Sequence, residues 1–412
     1  MSLLHNQYCN LDEFGFISRG RSQHRPRNAL HLYGGEYPFI QTADITKSSL
    51  YITSYSQTYT KAGLDQSRLW EPGVLCIVNA GVNTGDNAIL GFKACFPDSV
   101  IGFLPNLEKC NVYFIKYYLD SIKTQIKSIT MGATQDNLSV AKLLTFPIPK
   151  LSLDIQNKIA AILSAYDDLI ENNKRRIALL ENMAEEIYRE WFVRFRFPGY
   201  QTAEFEKGIP KSWEALPFSS VCTFEKGKNP KEVLEVDNDD LVHYVNVDTL
   251  LGNFNSFAKI QKNSVKCQLG DILMLMDGSR SGMTFRANVK GIVGSTLSVV
   301  QVDESLRSFV FEYLKAMHQE IVFNNTGSAI PHANKDYINR MILFIPDNES
   351  LLARFNELYD VKYREIDYLA KQNDNLSKTK NMLLPRLISG KLSVENLDIQ
   401  FPSSMQTTAE AE

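Results

Sequence analysis

Two stretches of this chain have the pattern of very long helices. From residue 153 the text LDIQNKIAAILSAYDDLIENNKRRIALLENMAEEIYREWF places Ile155, Ile159, Ile162, Tyr166, Leu169, Asn173, Ile177, Leu180, Ala184, Ile187 and Trp191 on one stripe. The spacings alternate four and three, with one four-four stutter at Asn173, and no glycine or proline interrupts them. Such a run predicts a helix of about 40 residues, roughly 60 Å long. The text ESLLARFNELYDVKYREIDYLAKQNDNLSKTKNMLL repeats the pattern through Leu352, Phe355, Tyr359, Lys362, Ile366, Leu369, Asn373, Leu376, Lys380 and Leu383. Globular helices average three or four turns, so neither run fits inside an ordinary core. The expectation is an antiparallel coiled coil that buries both stripes. Asn173 and Asn373 are the polar interruptions that fix register at some cost in stability. The coiled-coil and subunit-contact candidates are Ile155, Ile159, Ile162, Leu169, Asn173, Leu180, Trp191, Leu352, Phe355, Ile366, Leu369, Asn373 and Leu376. The acids Asp167, Asp168, Glu185 and Glu186 read as a solvated helix face.

What precedes each helix is also duplicated. LWEPGVLCIVNAG resembles CQLGDILMLMDG, YPFIQTADIT resembles VHYVNVDTL, and TMGATQDNLSVAKLLTFPIPKL resembles TGSAIPHANKDYINRMILFIPD. Gly73 pairs with Gly270, Gly132 with Gly327 and Pro149 with Pro346, all at offsets of 195–197. Several matches in one order at nearly constant spacing argue for a two-copy repeat. The fold class expected is α+β: two pseudo-repeated mixed domains joined by two long helices, a globule at each end of a rod. The limits are 1–150 and 213–347 for the globular domains, 151–195 and 348–390 for the helices, and 196–212 for the linker. The tail 391–412 lacks an apolar period and is expected to be disordered.

The sequence carries no recognisable catalytic constellation. There is no G-x-x-x-x-G-K-[ST], no G-x-G-x-x-G after a strand and no H-E-x-x-H. The six cysteines form no C-x-x-C pair and sit in apolar surroundings such as VLCIV and KACF, which reads as buried reduced thiols. The histidines are scattered. No catalytic residue, metal ligand or cofactor is assigned to the chain. The start MSLLHNQYCNLDEFG lacks a signal-peptide pattern and no window reaches a membrane span, so a soluble cytoplasmic protein is expected.

The loops are more informative. The chain carries a formal net charge of −3, so any polyanion site must come from local clustering. RGRSQHRPRN (19–28) is such a cluster, and no acid lies between Glu13 and Glu36. Its counterpart is EKGKNPKEV, in which Lys226-Gly227-Lys228 answers Arg19-Gly20-Arg21. NAGVNTGDN answers DGSRSGMTFR, and TMGATQDN answers TGSAIPHANK. These segments hold the side chains that donate to phosphates and base edges. The candidates for double-stranded DNA are Arg19, Arg21, Ser22, His24, Arg25, Arg27, Asn79, Asn83, Thr84, Thr134 and Gln135 in the first half. In the second half they are Lys226, Lys228, Lys231, Ser279, Arg280, Arg286, Ser328 and His332. Two other classes stay open on these residues: a self-contained nuclease or methyltransferase with an unrecognised motif, and a coiled-coil scaffold with no role on DNA.

Taken together, LYGGEYPFIQTADI, FPDSVIGFLP, GATQDNLSVAKLLTFPIP, the 155–192 helix, GIPKSWE and LLPRLISGKL resemble the specificity subunit of type I restriction–modification systems. The second half departs somewhat: GSAIPHANKDYI keeps the Gly-Ser and Pro-His positions, whereas FIPD lacks the second proline of FPIP. The resemblance implies two target-recognition domains reading a bipartite, asymmetric DNA site. It implies a coiled coil that sets the spacer and docks two modification (methyltransferase) subunits, and restriction/translocase subunits that join them. S-adenosylmethionine, ATP and Mg would then belong to those partners, and this chain would be non-catalytic.

Overall fold

The computed structural model describes residues 8–24, 26, 28–131, 137–236, 238, 240–252, 255–327, 329–402 and 405. The chain divides into two compact units, one of residues 1–174 with 371–412, the other of residues 175–370. Both long helices form, over Leu153–Tyr188 and Glu349–Ile388, and the first continues into a π-helical turn at Arg189–Val193. Each starts just after a proline-bearing strand, where Ser152 and Asn348 accept backbone N–H bonds of the first turn.

In the first unit the strands Gly15–Arg19, Val100–Pro105, Leu75–Val78, Asn87–Leu90 and Tyr51–Ile52 lie side by side in that order. All neighbours are antiparallel except the last pair. In the second unit Thr223–Lys226, Leu297–Gln301, Ile272–Leu275 and Thr284–Arg286 repeat the first four places. A further four-stranded sheet holds Phe257–Ala258, Val242–Val245, Gly291–Val293 and Lys266–Cys267.

The uninterrupted apolar run VLCIV has a direct structural cause: its strand is covered on both faces. Leu75 and Ile77 face the core that takes in Phe114, Tyr117 and Leu163, while Cys76 and Val78 face Val74, Leu90 and Phe96. Ile272 and Met274 likewise face Phe309 and Phe355, while Leu273 and Leu275 face Val245 and Val293. All six cysteines are buried and unpaired, and burial pushes the Cys110 and Cys222 thiols up to about 12 and Cys267 to about 11.

The helices run antiparallel within each unit. In the first, Lys380 Nζ lies 2.6 Å from Asp167 Oδ1, and Asn173 Nδ2 donates to Asn373 Oδ1 at 3.0 Å. In the second, Arg176 pairs with Glu365 at 2.7 Å, and Trp191 packs on Phe355 with ring centroids 6.0 Å apart. Ile159, Trp191, Leu352, Phe355, Ile366 and Leu369 are buried. Ile155, Ile162, Leu180 and Leu376 are half-buried.

Two expectations fail on the first helix. Leu169 is 51 % exposed, and Ile170 takes the buried place. Asp167, expected in solvent, is buried and accepts from Tyr117 Oη at 2.7 Å as well as from Lys380. A helix of 3.6 residues per turn drifts off a strict four-three stripe, and inward bonding of Asp167 fixes the drift. Of the tail, Val394 is buried in the first core, and Lys158 Nζ donates to the Glu395 carbonyl at 2.9 Å. Among the described residues no helix is long and apolar enough to cross a membrane.

Candidate nucleic-acid interface

The basic loops leave the sheets at equivalent strand ends. Arg19 stands opposite Ile101, and Lys226 stands opposite Ser298. The next residue, Gly20 or Gly227, donates its N–H to Val100 O or Leu297 O. The residue after that, Arg21 or Lys228, donates to Phe96 O or Val293 O. Register and acceptor spacing are therefore the same in both units. The glycine is required by close approach: a Cβ on Gly20 would lie 2.3 Å from the carbonyl oxygens of both Phe96 and Pro97, and one on Gly227 would lie 2.3 Å from Gly294 O. Arg19, Arg21, Lys226, Lys228 and Lys231 are all exposed.

Side-chain oxygens tie down each loop. Gln66 Oε1 accepts the backbone N–H groups of Gln23 and His24 at 2.6 and 2.9 Å, and Ser67 Oγ donates to Arg21 O at 2.7 Å. In the second unit Asn229 Oδ1 accepts from Tyr244 Oη at 2.8 Å and from the Ser295 N–H at 2.9 Å. Neighbouring Arg68 stacks its guanidinium on Trp70 at 4.0 Å and on half-exposed Phe16 at 5.0 Å. Sequence reading missed all four: Gln66, Ser67 and Arg68 lie outside the basic runs and carry no motif, and Asn229 lies inside EKGKNPKEV but bonds within the protein.

The second pair of loops also superposes by hydrogen bonding. Gly85 N–H donates to Val78 O as Gly282 N–H donates to Leu275 O, and Asp86 N–H to Asn83 O as Met283 N–H to Arg280 O. Asn83 and Arg280 thus hold one structural position. Asn83 is half-buried, and Ser279 and Arg280 are exposed.

Several candidates serve the fold instead. Thr84 is buried and donates to Gly81 O at 2.7 Å, closing its own turn. Asn79 is fully buried, with Nδ2 donating to Asp98 O at 2.8 Å. Ser22, within the basic loop, is buried. Arg286 lies three pairs down the hairpin from the loop and places its guanidinium 4.3 Å from the Tyr363 ring. His24 bonds the Pro26 carbonyl through Nδ1 and meets His31 edge-on. Arg25, Arg27, Thr134, Gln135 and Ser328 lie outside the described residues.

In the second unit a third loop joins the first two. Gly278 N–H donates to Pro331 O, and Ala333 N–H donates to Met276 O. This seam brings His332 Nδ1 to 2.8 Å from Asp277 Oδ1, while Lys226 Nζ reaches Asp277 Oδ2 at 3.2 Å. Burial opposes ionisation of Asp277, but the bonds from His332 and Lys226 outweigh it and hold its carboxyl below the usual aspartate range. The corresponding seam in the first unit pairs Ala80 with Asn137, and Leu138 N–H donates to Asn79 O. Among the described residues no three His, Cys, Asp or Glu side chains are grouped to hold a metal ion.

The arrangement is a surface of donors on loops braced by the backbone, duplicated in register. Comparison with known proteins agrees. Residues 6–182 and 210–351 match the family described as the type I restriction modification DNA specificity domain. The MjaIX type I restriction enzyme specificity subunit of Methanocaldococcus jannaschii is 26% identical over 394 residues, covering 89% of each chain. The MjaVIII specificity subunit of the same organism is 25% identical over 179 residues, covering 41% of this chain and 42% of that one. The crystal structure of a type I restriction–modification S subunit from M. genitalium shares the fold with a TM-score of 0.56 at 15% identity, covering 94% of this chain and 98% of that one.

Proposed function

The chain belongs to the type I restriction–modification DNA specificity family, and on that premise we propose that each globular region reads one half of a bipartite, asymmetric DNA site. The protein is a non-catalytic specificity subunit that works with DNA, modification subunits and restriction subunits. The target-recognition domains span residues 1–150 and 213–347. The helices at 151–195 and 348–390 form the docking element for two modification subunits, which supply the S-adenosylmethionine chemistry. ATP and Mg act in the restriction/translocase subunits.

What carries the DNA assignment is the pair of Arg19-Gly20-Arg21 and Lys226-Gly227-Lys228 loops, bonded to the same register of equivalent strands. A chain of net charge −3 has no general affinity for polyanions, so two matched outcrops of exposed cations are placed for a purpose. Arginine's bidentate fork suits phosphates and guanine edges, and lysine supplies point charges. Because the two loops differ in residue type, the two half-sites differ in sequence.

The test is binding of the full chain, with its modification subunits, to random-sequence duplex across a salt series. Log affinity should fall linearly with log salt, and Arg19→Ala with Arg21→Ala should lower the slope by about 0.9 for each phosphate that is no longer neutralised. Assembly with the modification subunits should be unchanged. A flat salt response would refute the DNA role and favour a scaffold.

A further inference from the structure

The carboxylate of Asp277 is out of place on a surface that meets phosphates. It sits where the three loops of the second unit converge, with its side chain 28% exposed. The first unit has Ala80 at this position and Asn137 where the second has His332, so the repeat alone does not require an acid. Asp277 also does more than balance charge. Its Oδ1 engages one ring nitrogen of His332, and its Oδ2 engages Lys226.

An ionised carboxylate can only accept a hydrogen bond. His332 Nδ1 must therefore carry the proton, and in the neutral ring Nε2 is left as an acceptor. The backbone that carries the ring is pinned, and Gly327 leaves room for the ring beside it. The Thr326 and His332 backbones exchange bonds of 2.9 and 2.7 Å, and the ring's Cδ2 edge lies 3.0 Å from where a Cβ on Gly327 would sit. Gly327 has φ +87°, a conformation glycine adopts without strain. The His332 side chain is 48% exposed, and among the described residues Nε2 has no protein partner.

We infer that Asp277, Lys226 and His332 form a preset base reader in the second target-recognition domain, offering a donor (Lys226 Nζ) beside an acceptor (His332 Nε2) to the adenine edge in the major groove. The inference rests on the DNA-reading role proposed above. Adenine alone shows an acceptor, N7, next to a donor, the N6 amino group, on one base. Guanine shows two acceptors there, thymine an acceptor and a methyl group, and cytosine a donor without an adjacent acceptor. Asp277 is a positioning residue: it touches no base, fixes the tautomer of His332 and anchors Lys226 within reach of the same base.

The experiment is selection from random-sequence duplexes by the full chain assembled with its modification subunits, with thermal unfolding of each variant recorded alongside. The wild type should select an adenine at one position of the second half-site. Asp277→Ala and His332→Ala should each relax that position by roughly tenfold to a hundredfold and leave the first half-site unchanged. His332→Gln should keep the adenine, since a glutamine amide offers its own donor and acceptor. A purely structural role for the cluster would make His332→Gln and His332→Ala alike, which would overturn the inference. So would a second half-site without adenine, or an Asp277→Ala protein with wild-type preferences throughout. Failure of the wild-type assembly to bind any duplex would instead overturn the DNA-reading role itself.

Discussion

Gly20→Ala tests how the first basic loop is held. The added Cβ would sit 2.3 Å from the carbonyl oxygens of Phe96 and Pro97 and 2.5 Å from Phe96 Cδ2. An ordinary carbon–oxygen contact is about 3.3 Å or more, so strand end and turn must part by about 1 Å. That movement strains the Gly20 N–H bond to Val100 O, 2.8 Å, and the Arg21 N–H bond to Phe96 O, 3.1 Å. Overpacking together with two weakened backbone bonds costs about 2–4 kcal/mol. In a unit of this size that lowers the melting temperature by about 5–15 °C. Arg21 moves with the loop, so DNA affinity at low salt should fall more than stability alone accounts for. Calorimetry and a salt-series binding assay on the same preparation measure both. Gly227→Ala should behave likewise, because its Cβ would meet Gly294 O at 2.3 Å and Val293 O at 2.6 Å. A Gly20→Ala protein with unchanged melting temperature and affinity would refute the close-approach argument.

Lys380→Met strips Asp167 of its cation and leaves a buried carboxylate held by Tyr117 alone. Because Lys380 is partly solvated, urea denaturation should show a loss of about 2–3 kcal/mol, toward the low end for a broken buried pair. Adding Asp167→Asn should restore most of it; a double-mutant coupling below about 0.5 kcal/mol would contradict the pairing. Glu312 is fully buried, bonded by Tyr359 and Tyr363 at 2.9 and 3.3 Å, and burial raises its carboxyl above the usual range. The folded state therefore holds that proton more tightly than the unfolded chain, so stability falls as pH rises from about 4.3, the ordinary glutamate value, to the raised folded value. Glu312→Gln should remove this part of the pH dependence, and an unchanged stability–pH curve would refute the assignment.

The parts of the structure that repeat were legible in the sequence. Gly20 and Gly227 mark close approaches, and Gly85 and Gly282 mark left-handed turns at φ +91° and +94°. The long helices were legible because their four-and-three period carries on past the polar Asn173 and Asn373, with one stutter at Asn173. Polar loop residues were not legible one by one, since a hydroxyl or amide suits the protein's own carbonyls as well as DNA. Thr84 closes a turn and Asn79 bonds Asp98 O. Arg286 went to Tyr363 because strand pairing sets it three residues from the loop end. Leu169 and Asp167 exchanged their expected environments because a cross-helix lysine decided which face turned inward. Asp277 did carry a signal: it is an acid at the position where the first copy has Ala80, within a segment otherwise rich in donors.

Methylome sequencing of cells carrying this chain and its modification subunits tests the central claim most directly. The result predicted is one motif of two unequal half-sites separated by a fixed non-specific spacer. Arg19→Ala with Arg21→Ala should loosen one half, and Lys226→Ala with Lys228→Ala should loosen the other. A contiguous motif, or either pair of substitutions loosening both halves together, would contradict the assignment of one half-site to each unit.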